Sequence, residues 1–255
     1  MKFKVLGCSG GIGGKDDRTT AFLVDDDILI DCGTGVGSLA LDDLARIDHV
    51  FLTHAHLDHI ASLPLLVDSV GEARGVPLTV YAAEETIRIL RTHIFNWLIW
   101  PDFTAIPNCI RPYLRFQTIR VGEPVDLDGR RITPHVAYHT VSAVSYCLDS
   151  GQGQLFFTGD TMYSEELVAA INSQAELRHL LIESAFCDEQ HNLALASGHL
   201  CPSLLAAVLD EIDVMPDIHI CHLKPGAENR VIEQIRERVG HLSLSKLSQG
   251  VVLEF

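Results

Sequence analysis

The stretch His54-Ala55-His56-Leu57-Asp58-His59 places four groups able to bind a metal ion within six residues. It follows a short apolar run, Val50 to Thr53, and leads into an apolar repeat of helical spacing, Leu57 to Val70. These patterns predict a buried strand that ends at the first histidine and a helix that begins near the last one. Loops between such elements often carry the functional side chains of a domain.

His54 and His56 are two residues apart, so an extended backbone points both side chains to one side. Asp58 and His59 follow where the chain enters the helix, and they can reach a second ion a few ångströms away. The spacing therefore predicts a cradle for two divalent metal ions. Imidazole and carboxylate ligands together suit zinc, with manganese and iron as alternatives.

Each ion needs about four ligands, so more distant residues must contribute. The best candidates lie at strand ends or in turns: His139, Asp160 and His222. Asp160 has two carboxylate oxygens and can bridge two cations. We therefore expect several strands to deliver polar side chains to one sheet edge, as in many α/β enzymes.

The rest of the chain alternates short apolar runs with helical patterns and contains no linker or repeat. It predicts one domain over residues 1–255, of two similar halves, each a sheet with an outer layer of helices. Ala21 to Val24 and Ile28 to Ile30 should form a hairpin. Besides the segment after the histidines, helices are expected over Glu84 to Trp100, Pro202 to Ile212 and Asn229 to Val239.

Composition limits the possible partners. The chain has 255 residues, 47% of them hydrophobic, and a formal net charge of −15, which disfavours nucleic acid and anionic membranes. Apolar runs are too short for a membrane span. Seven cysteines without a CxxC pair argue against disulfides and zinc ribbons. With no export signal, we expect a cytoplasmic protein.

These motifs, in this order, resemble the metallo-β-lactamase fold superfamily. The resemblance implies an α/β fold, a four-layer αββα sandwich. It implies that His54, His56 and His139 hold the first ion, that Asp58, His59 and His222 hold the second, and that Asp160 bridges them. Asp31 would orient the metal loop through hydrogen bonds.

A second resemblance concerns Glu183 and His199. They are similar to a Glu/His pair in the phosphodiesterase branch of the superfamily, in which the histidine is a proposed proton donor oriented by the glutamate. A buried structural glutamate and a capping histidine are the alternative. The residues from His54 to Leu63 resemble the signature of class II cyclic-nucleotide phosphodiesterases, with a departure at Pro64, and the whole chain resembles bacterial members.

The expected function is hydrolysis of a 3′,5′-cyclic nucleotide, such as cAMP, to the 5′-monophosphate by hydroxide held between the metals. Asp58, Glu183 and His199 are the expected catalytic residues. A tRNA 3′-processing endonuclease is one alternative, but the 20 residues between His139 and Asp160 contain no Lys or Arg for a basic arm. A lactone, thioester or β-lactam hydrolase and a non-catalytic metal-binding protein are the others.

Two features stay open at this point. Lys224 is expected to steer phosphate or to be a solvated surface lysine. The segment from Ile94 to Phe103 carries both tryptophans and could stack on a base, form a lid or lie in a homodimer interface. The alternative is an amphipathic core helix with an exposed end.

Overall fold

Two seven-stranded sheets face each other in the computed structural model, which describes residues 1–14 and 17–255. The first sheet contains β1 (Lys2–Gly7), β2 (Ala21–Val24), β3 (Ile28–Ile30), β4 (His49–Phe51), β5 (Leu78–Ala82), β6 (Leu114–Thr118) and β14 (Val252–Glu254). The second contains β7 (Val125–Leu127), β8 (Arg130–Tyr138), β9 (Ser142–Asp149), β10 (Gln154–Phe157), β11 (Leu177–Glu183), β12 (Asp217–Cys221) and β13 (Leu244–Lys246).

Eight α-helices occur among the described residues. They are α1 (Leu41–Arg46), α2 (Leu57–Ile60), α3 (Leu63–Val70), α4 (Glu84–His93), α5 (Glu165–Asn172), α6 (His191–Ser197), α7 (Pro202–Asp210) and α8 (Glu228–Val239). Short 3₁₀ turns lie at Thr34–Ser38 and Asp188–Gln190. The helices cover the outer faces of the sheets, so the chain has the four layers of the predicted αββα sandwich.

Each sheet combines an antiparallel and a parallel part. The strand order is β14-β1-β2-β3-β4-β5-β6 in one sheet and β13-β12-β11-β10-β9-β8-β7 in the other. β3 to β6 are parallel, and so are β10 to β13. The predicted hairpin is present as the antiparallel pair β2 and β3. The carboxyl ends of both parallel parts carry the metal-binding motifs.

Three apolar clusters separate the layers. One lies between the first sheet and α3 and α4, a second between the two sheets, and a third between the second sheet and α5, α7 and α8. Phe22 lies in the middle cluster, with ring centroids 4.9 Å from Phe3 and 5.0 Å from Phe157. This packing joins the sheets and fixes the relative position of their strand ends.

Two predicted helices are shorter than expected. The helix expected over Leu57 to Val70 is broken into α2 and α3, because Pro64 cannot donate a backbone hydrogen bond and its ring would clash with the carbonyl of Ile60. The helix expected over Glu84 to Trp100 ends at His93. There the side chain of Asn96 accepts hydrogen bonds from the backbone N–H groups of Leu98 and Ile99, which competes with helical pairing.

The other two helix predictions differ from α7 and α8 only at their ends. Within residues 1–14 and 17–255, no single helix is long and apolar enough to cross a bilayer. The helical segments Asp188–Ser197 and Pro202–Asp210 pass that test only as a pair, bent by 78°.

Substitution of Phe22 by Ala should lower the free energy of unfolding by about 3–5 kcal/mol, because it leaves a cavity between the sheets. Urea unfolding followed by circular dichroism measures this change. Ile110, which is 78% exposed, is the matched control, and its replacement by Ala should change stability by less than about 0.5 kcal/mol. Equal effects of the two substitutions would contradict this description of the core.

Candidate metal centre

Three histidines form the first potential metal-binding cluster. His54 and His56 follow β4, and His139 follows β8 of the other sheet. Each offers one nitrogen, and these nitrogens lie within 4.8 Å of one another. Nδ1 of His56 is 3.1 Å from Nε2 of His139. The sequence predicted that these side chains meet at the edge of one sheet. In the structure they meet at a rim to which both sheets contribute.

The second cluster contains Asp58, His59, Asp160 and His222, whose ligand atoms also lie within 4.8 Å of one another. Asp160 Oδ2 is 3.2 Å from His59 Nε2, and Asp160 Oδ1 is 3.1 Å from His222 Nδ1. Oδ2 is also 3.7 Å from Nε2 of His54 in the first cluster. Asp160 therefore lies between the two clusters, in the position expected of a bridging ligand.

Three imidazole nitrogens make this rim suitable for cations. Nε2 of His54, Nε2 of His59 and Nδ1 of His222 are buried and make no hydrogen bond among the described residues. The last two lie 3.2 and 3.1 Å from oxygens of Asp160, but not in hydrogen-bond geometry. Buried polar atoms normally have partners, so such a concentration of unpaired nitrogens around a carboxylate requires an explanation. A divalent metal ion would satisfy them, because neutral imidazole and carboxylate are its common ligands.

One buried carboxylate orients two of these imidazoles. His59 donates its Nδ1 proton to Asp31 Oδ2, at 2.7 Å, and Thr53 donates its hydroxyl proton to the same oxygen, at 2.8 Å. With its only hydroxyl proton used, Thr53 Oγ1 accepts from Nδ1 of His54, at 3.0 Å. In their neutral forms both histidines are thereby held as the tautomer whose Nε2 lone pair faces the centre.

Two further ligands are oriented by the backbone. His139 donates from Nδ1 to the carbonyl of Gly198, at 2.8 Å, which leaves Nε2 for the centre. His222 has a positive φ of 58°, and its N–H donates to the carbonyl of Cys8, at 2.8 Å. A Cβ on neighbouring Gly10 would lie 2.5 Å from the carbonyl oxygen of His222. This close approach requires glycine at position 10.

The charges of the centre are strongly coupled. Burial opposes ionisation of Asp160, but His222, His59 and His54 outweigh it and hold its pKa well below the usual range. Burial also opposes protonation of His59, but the carboxylates of Asp160 and Asp31 hold its pKa well above the usual range. Burial lowers the pKa of His54 and of His222 far below that of free imidazole. Both are thus neutral near pH 7, as ligands must be, whereas His59 must lose its second ring proton to bind a metal ion.

Glu183 and His199 form a buried pair beside the first cluster. His199 donates from Nδ1 to Glu183 Oε1, at 2.8 Å, and the N–H of Thr161 donates to the same oxygen, at 3.0 Å. Burial disfavours the imidazolium of His199, but the Glu183 carboxylate overcomes this and raises the pKa of His199. His199 also groups with His139 and Asp160 within 4.8 Å, so the pair borders the metal centre.

Asp58 and Lys224 lie on the solvent side of the centre. The Asp58 side chain is 26% exposed, and its Oδ2 is 3.8 Å from Nε2 of His222. Lys224 donates from Nζ to the carbonyl of Gly10, at 2.7 Å, and Nζ is 3.4 Å from Nε2 of His222. Lys224 therefore borders the metal centre and is not a remote, fully solvated lysine.

The segment from Ile94 to Phe103 lies away from the centre. α4 starts at the rim, just after β5, and runs back along the sheet, so this segment precedes β6 at the opposite end. Trp97 is 63% exposed there. This position disfavours the lid and base-stacking hypotheses for the segment and leaves the interface hypothesis untested.

The structure places the seven predicted ligands at one rim, together with Asp31, Glu183, His199 and Lys224. The sequence analysis did not identify the residues that orient them. Thr53, Thr161 and the carbonyl of Gly198 supply hydrogen bonds to these groups. Thr53 could have been identified from the sequence, because its hydroxyl group directly precedes His54. Backbone donors and acceptors have no signature in sequence.

The two sheets, their outer helices and the histidine–aspartate rim define a hydrolase of the metallo-β-lactamase fold. The chain belongs to the β-lactamase superfamily, because the family model described as "Beta-lactamase superfamily domain" matches residues 26–238. This finding confirms the family and the fold expected from the sequence motifs.

Individual relatives carry two kinds of name. The chain is 28% identical over 228 residues to a probable 3′,5′-cyclic-nucleotide phosphodiesterase of Yersinia pestis, covering 80% of this chain and 63% of that protein. It is 36% identical over 153 residues to a ribonuclease Z of Clostridium beijerinckii, covering 56% and 47%. The chain thus spans less than two thirds of either relative.

Among solved structures, unliganded yeast PDE1 superposes with a TM-score of 0.83 at 18% identity, covering 100% of this chain and 99% of that one. At this identity the similarity concerns the fold.

Replacing Thr53 by Val should weaken zinc binding roughly 10- to 100-fold, because His54 loses the acceptor that holds its tautomer. Competition with a chromophoric chelator measures the affinity without reference to activity. Thr53→Ser keeps the hydroxyl and should bind zinc as the unchanged protein does. A Thr53→Val protein that folds normally and binds zinc with undiminished affinity would show that the hydroxyl does not orient the ligand.

Proposed function

We propose that this protein is a two-metal phosphodiesterase that hydrolyses a 3′,5′-cyclic nucleotide, such as cAMP, to the 5′-monophosphate. The observation that carries the proposal is the Glu183–His199 pair, which borders both Asp160 and His139 of the metal centre. Hydrolysis of a phosphodiester needs a metal centre for the anion and a proton source for the leaving oxygen, and this rim offers both.

The proposed metal ligands are the two clusters at the rim, with Asp160 shared between them: His54, His56, Asp58, His59, His139, Asp160 and His222. Two divalent cations held there, with zinc as the proposed metal, would polarise the phosphoryl oxygens and provide a nucleophile from water at neutral pH. Their charge exceeds that of the two carboxylates among the ligands, so a chain with a net charge of −15 can still attract an anion at this point.

The protein side chains would position the substrate and move protons. The ammonium of Lys224 lies 3.4 Å from Nε2 of His222. It can therefore exchange its hydrogen bond with the carbonyl of Gly10 for one with a phosphoryl oxygen at the metal centre. Asp58, which faces solvent, can accept the proton of the attacking water. His199, with Nδ1 held by Glu183, has Nε2 free to protonate the leaving sugar oxygen.

The printed names of relatives support this choice of substrate only in part. The Yersinia pestis relative bears the cyclic-nucleotide name, and the Clostridium beijerinckii relative bears the name of a ribonuclease. A tRNA-processing activity is therefore the second candidate. In this chain the 20 residues between His139 and Asp160 form a plain connection through β9 and β10 without a basic residue, which favours a small substrate.

Incubation of zinc-loaded protein with 3′,5′-cyclic AMP tests the proposal directly. We expect 5′-AMP as the only nucleotide product, measured by liquid chromatography, and no cleavage of a precursor tRNA at low salt. Cleavage of the tRNA without turnover of any cyclic nucleotide would replace the first candidate with the second.

We also propose a cytoplasmic location. Homodimer formation is tested by sizing of the protein in solution.

Replacing His199 by Ala should lower kcat on cyclic AMP roughly 10²- to 10⁴-fold, because the sugar oxygen leaves without a proton. The same variant should lose much less activity on bis-p-nitrophenyl phosphate, whose leaving phenolate needs no proton. Steady-state rates on both substrates give the comparison.

The exposed His93 at the end of α4 provides the matched control, and its replacement by Ala should change neither rate. An equal loss on both substrates for His199→Ala would argue that His199 supports the metal centre and does not donate a proton.

A further inference from the structure

An aromatic ring at the mouth of the site has no role in the metal centre. Phe186 follows β11 by three residues and is half-buried. Its ring centroid is 5.8 Å from that of His199, and the ammonium of Lys224 is 5.9 Å from its centroid. The ring is therefore a neighbour of both the proposed proton donor and the proposed phosphate-binding cation.

Backbone hydrogen bonds fix this position. The N–H of Ala185 donates to the carbonyl of Leu200, at 3.0 Å, next to His199 in sequence. The carbonyl of Ala185 accepts from the N–H of Lys224, at 3.4 Å. The backbone next to Phe186 is thus tied to the loops that carry both functional groups.

Core packing does not account for Phe186. It belongs to none of the three apolar clusters that separate the layers of the fold. A half-buried ring beside His199 and Lys224 has no apolar layer to join. Its flat face is instead suited to a ligand with a π-face, and a base stacked on an aromatic side chain gains substantial binding free energy.

We propose that Phe186 is the platform on which the base of the substrate nucleotide stacks, an inference that rests on the proposed function. With the leaving oxygen at His199, whose ring centroid is 5.8 Å from that of Phe186, the sugar and its base would lie within reach of the Phe186 ring. The site would then select nucleotides over simple sugar phosphates, and purines, with their larger π-face, over pyrimidines.

Phe186→Leu is the decisive variant, because it keeps a bulky apolar side chain beside His199 and removes the π-face. Equilibrium binding to the metal-loaded protein is measured by calorimetry for two probes, 5′-AMP and ribose 5-phosphate. We expect the variant to bind 5′-AMP roughly 5- to 150-fold more weakly. Its affinity for ribose 5-phosphate, which lacks a base, should be unchanged, and KM for cyclic AMP should rise more than kcat falls.

Trp97→Leu removes an aromatic ring that is 63% exposed at the opposite end of the sheet, and it should bind both probes as the unchanged protein does. Equal weakening of both probes by Phe186→Leu, or no weakening of 5′-AMP, would overturn the proposal. If the protein fails to hydrolyse cyclic AMP but the two probes differ as expected, the base-stacking proposal is supported and the proposed reaction is overturned.

Discussion

The metal centre depends on the hydrogen bonds that the Asp31 carboxylate accepts from His59 and Thr53. This carboxylate is fully buried, and burial raises its pKa, although hydrogen bonds from Thr53 and His59 offset part of that cost. Through these two partners it sets the tautomers of His59 and His54, one in each cluster. A single buried acid therefore prepares ligands for both proposed ions before any metal binds, and this reduces the reorganisation that binding requires.

The fold supplies what a local motif cannot. Ligands that are far apart in sequence meet because two sheets, joined by the packing around Phe22, present the ends of their parallel strands at one rim. Part of the cost is local strain: Asp31 and His222 both have positive φ, an uncommon conformation for residues other than glycine. Unusual backbone at functional positions persists where the surrounding structure holds it, as the pairing of Gly10 with Leu223 does here.

The sequence was most informative about the side chains that form the metal site. The spacing from His54 to His59, together with His139, Asp160 and His222, was sufficient to predict one shared metal site. The order of apolar runs and helical patterns predicted two similar halves, and the family resemblance implied the sandwich. The sequence analysis failed where backbone or context decides: Pro64 splits one predicted helix, and the side chain of Asn96 competes with the end of another. It left the role of the tryptophan segment open, because direction along the sheet depends on strand pairing that composition does not reveal.

Anomalous diffraction from crystals of the zinc-saturated protein, recorded on both sides of the zinc edge, tests the central claim most directly. We expect two peaks about 3.5–4 Å apart, one on each side of the Asp160 carboxylate and each within bonding distance of the histidines of its cluster. A single peak, or zinc bound elsewhere while these nitrogens stay unpaired, would contradict this claim.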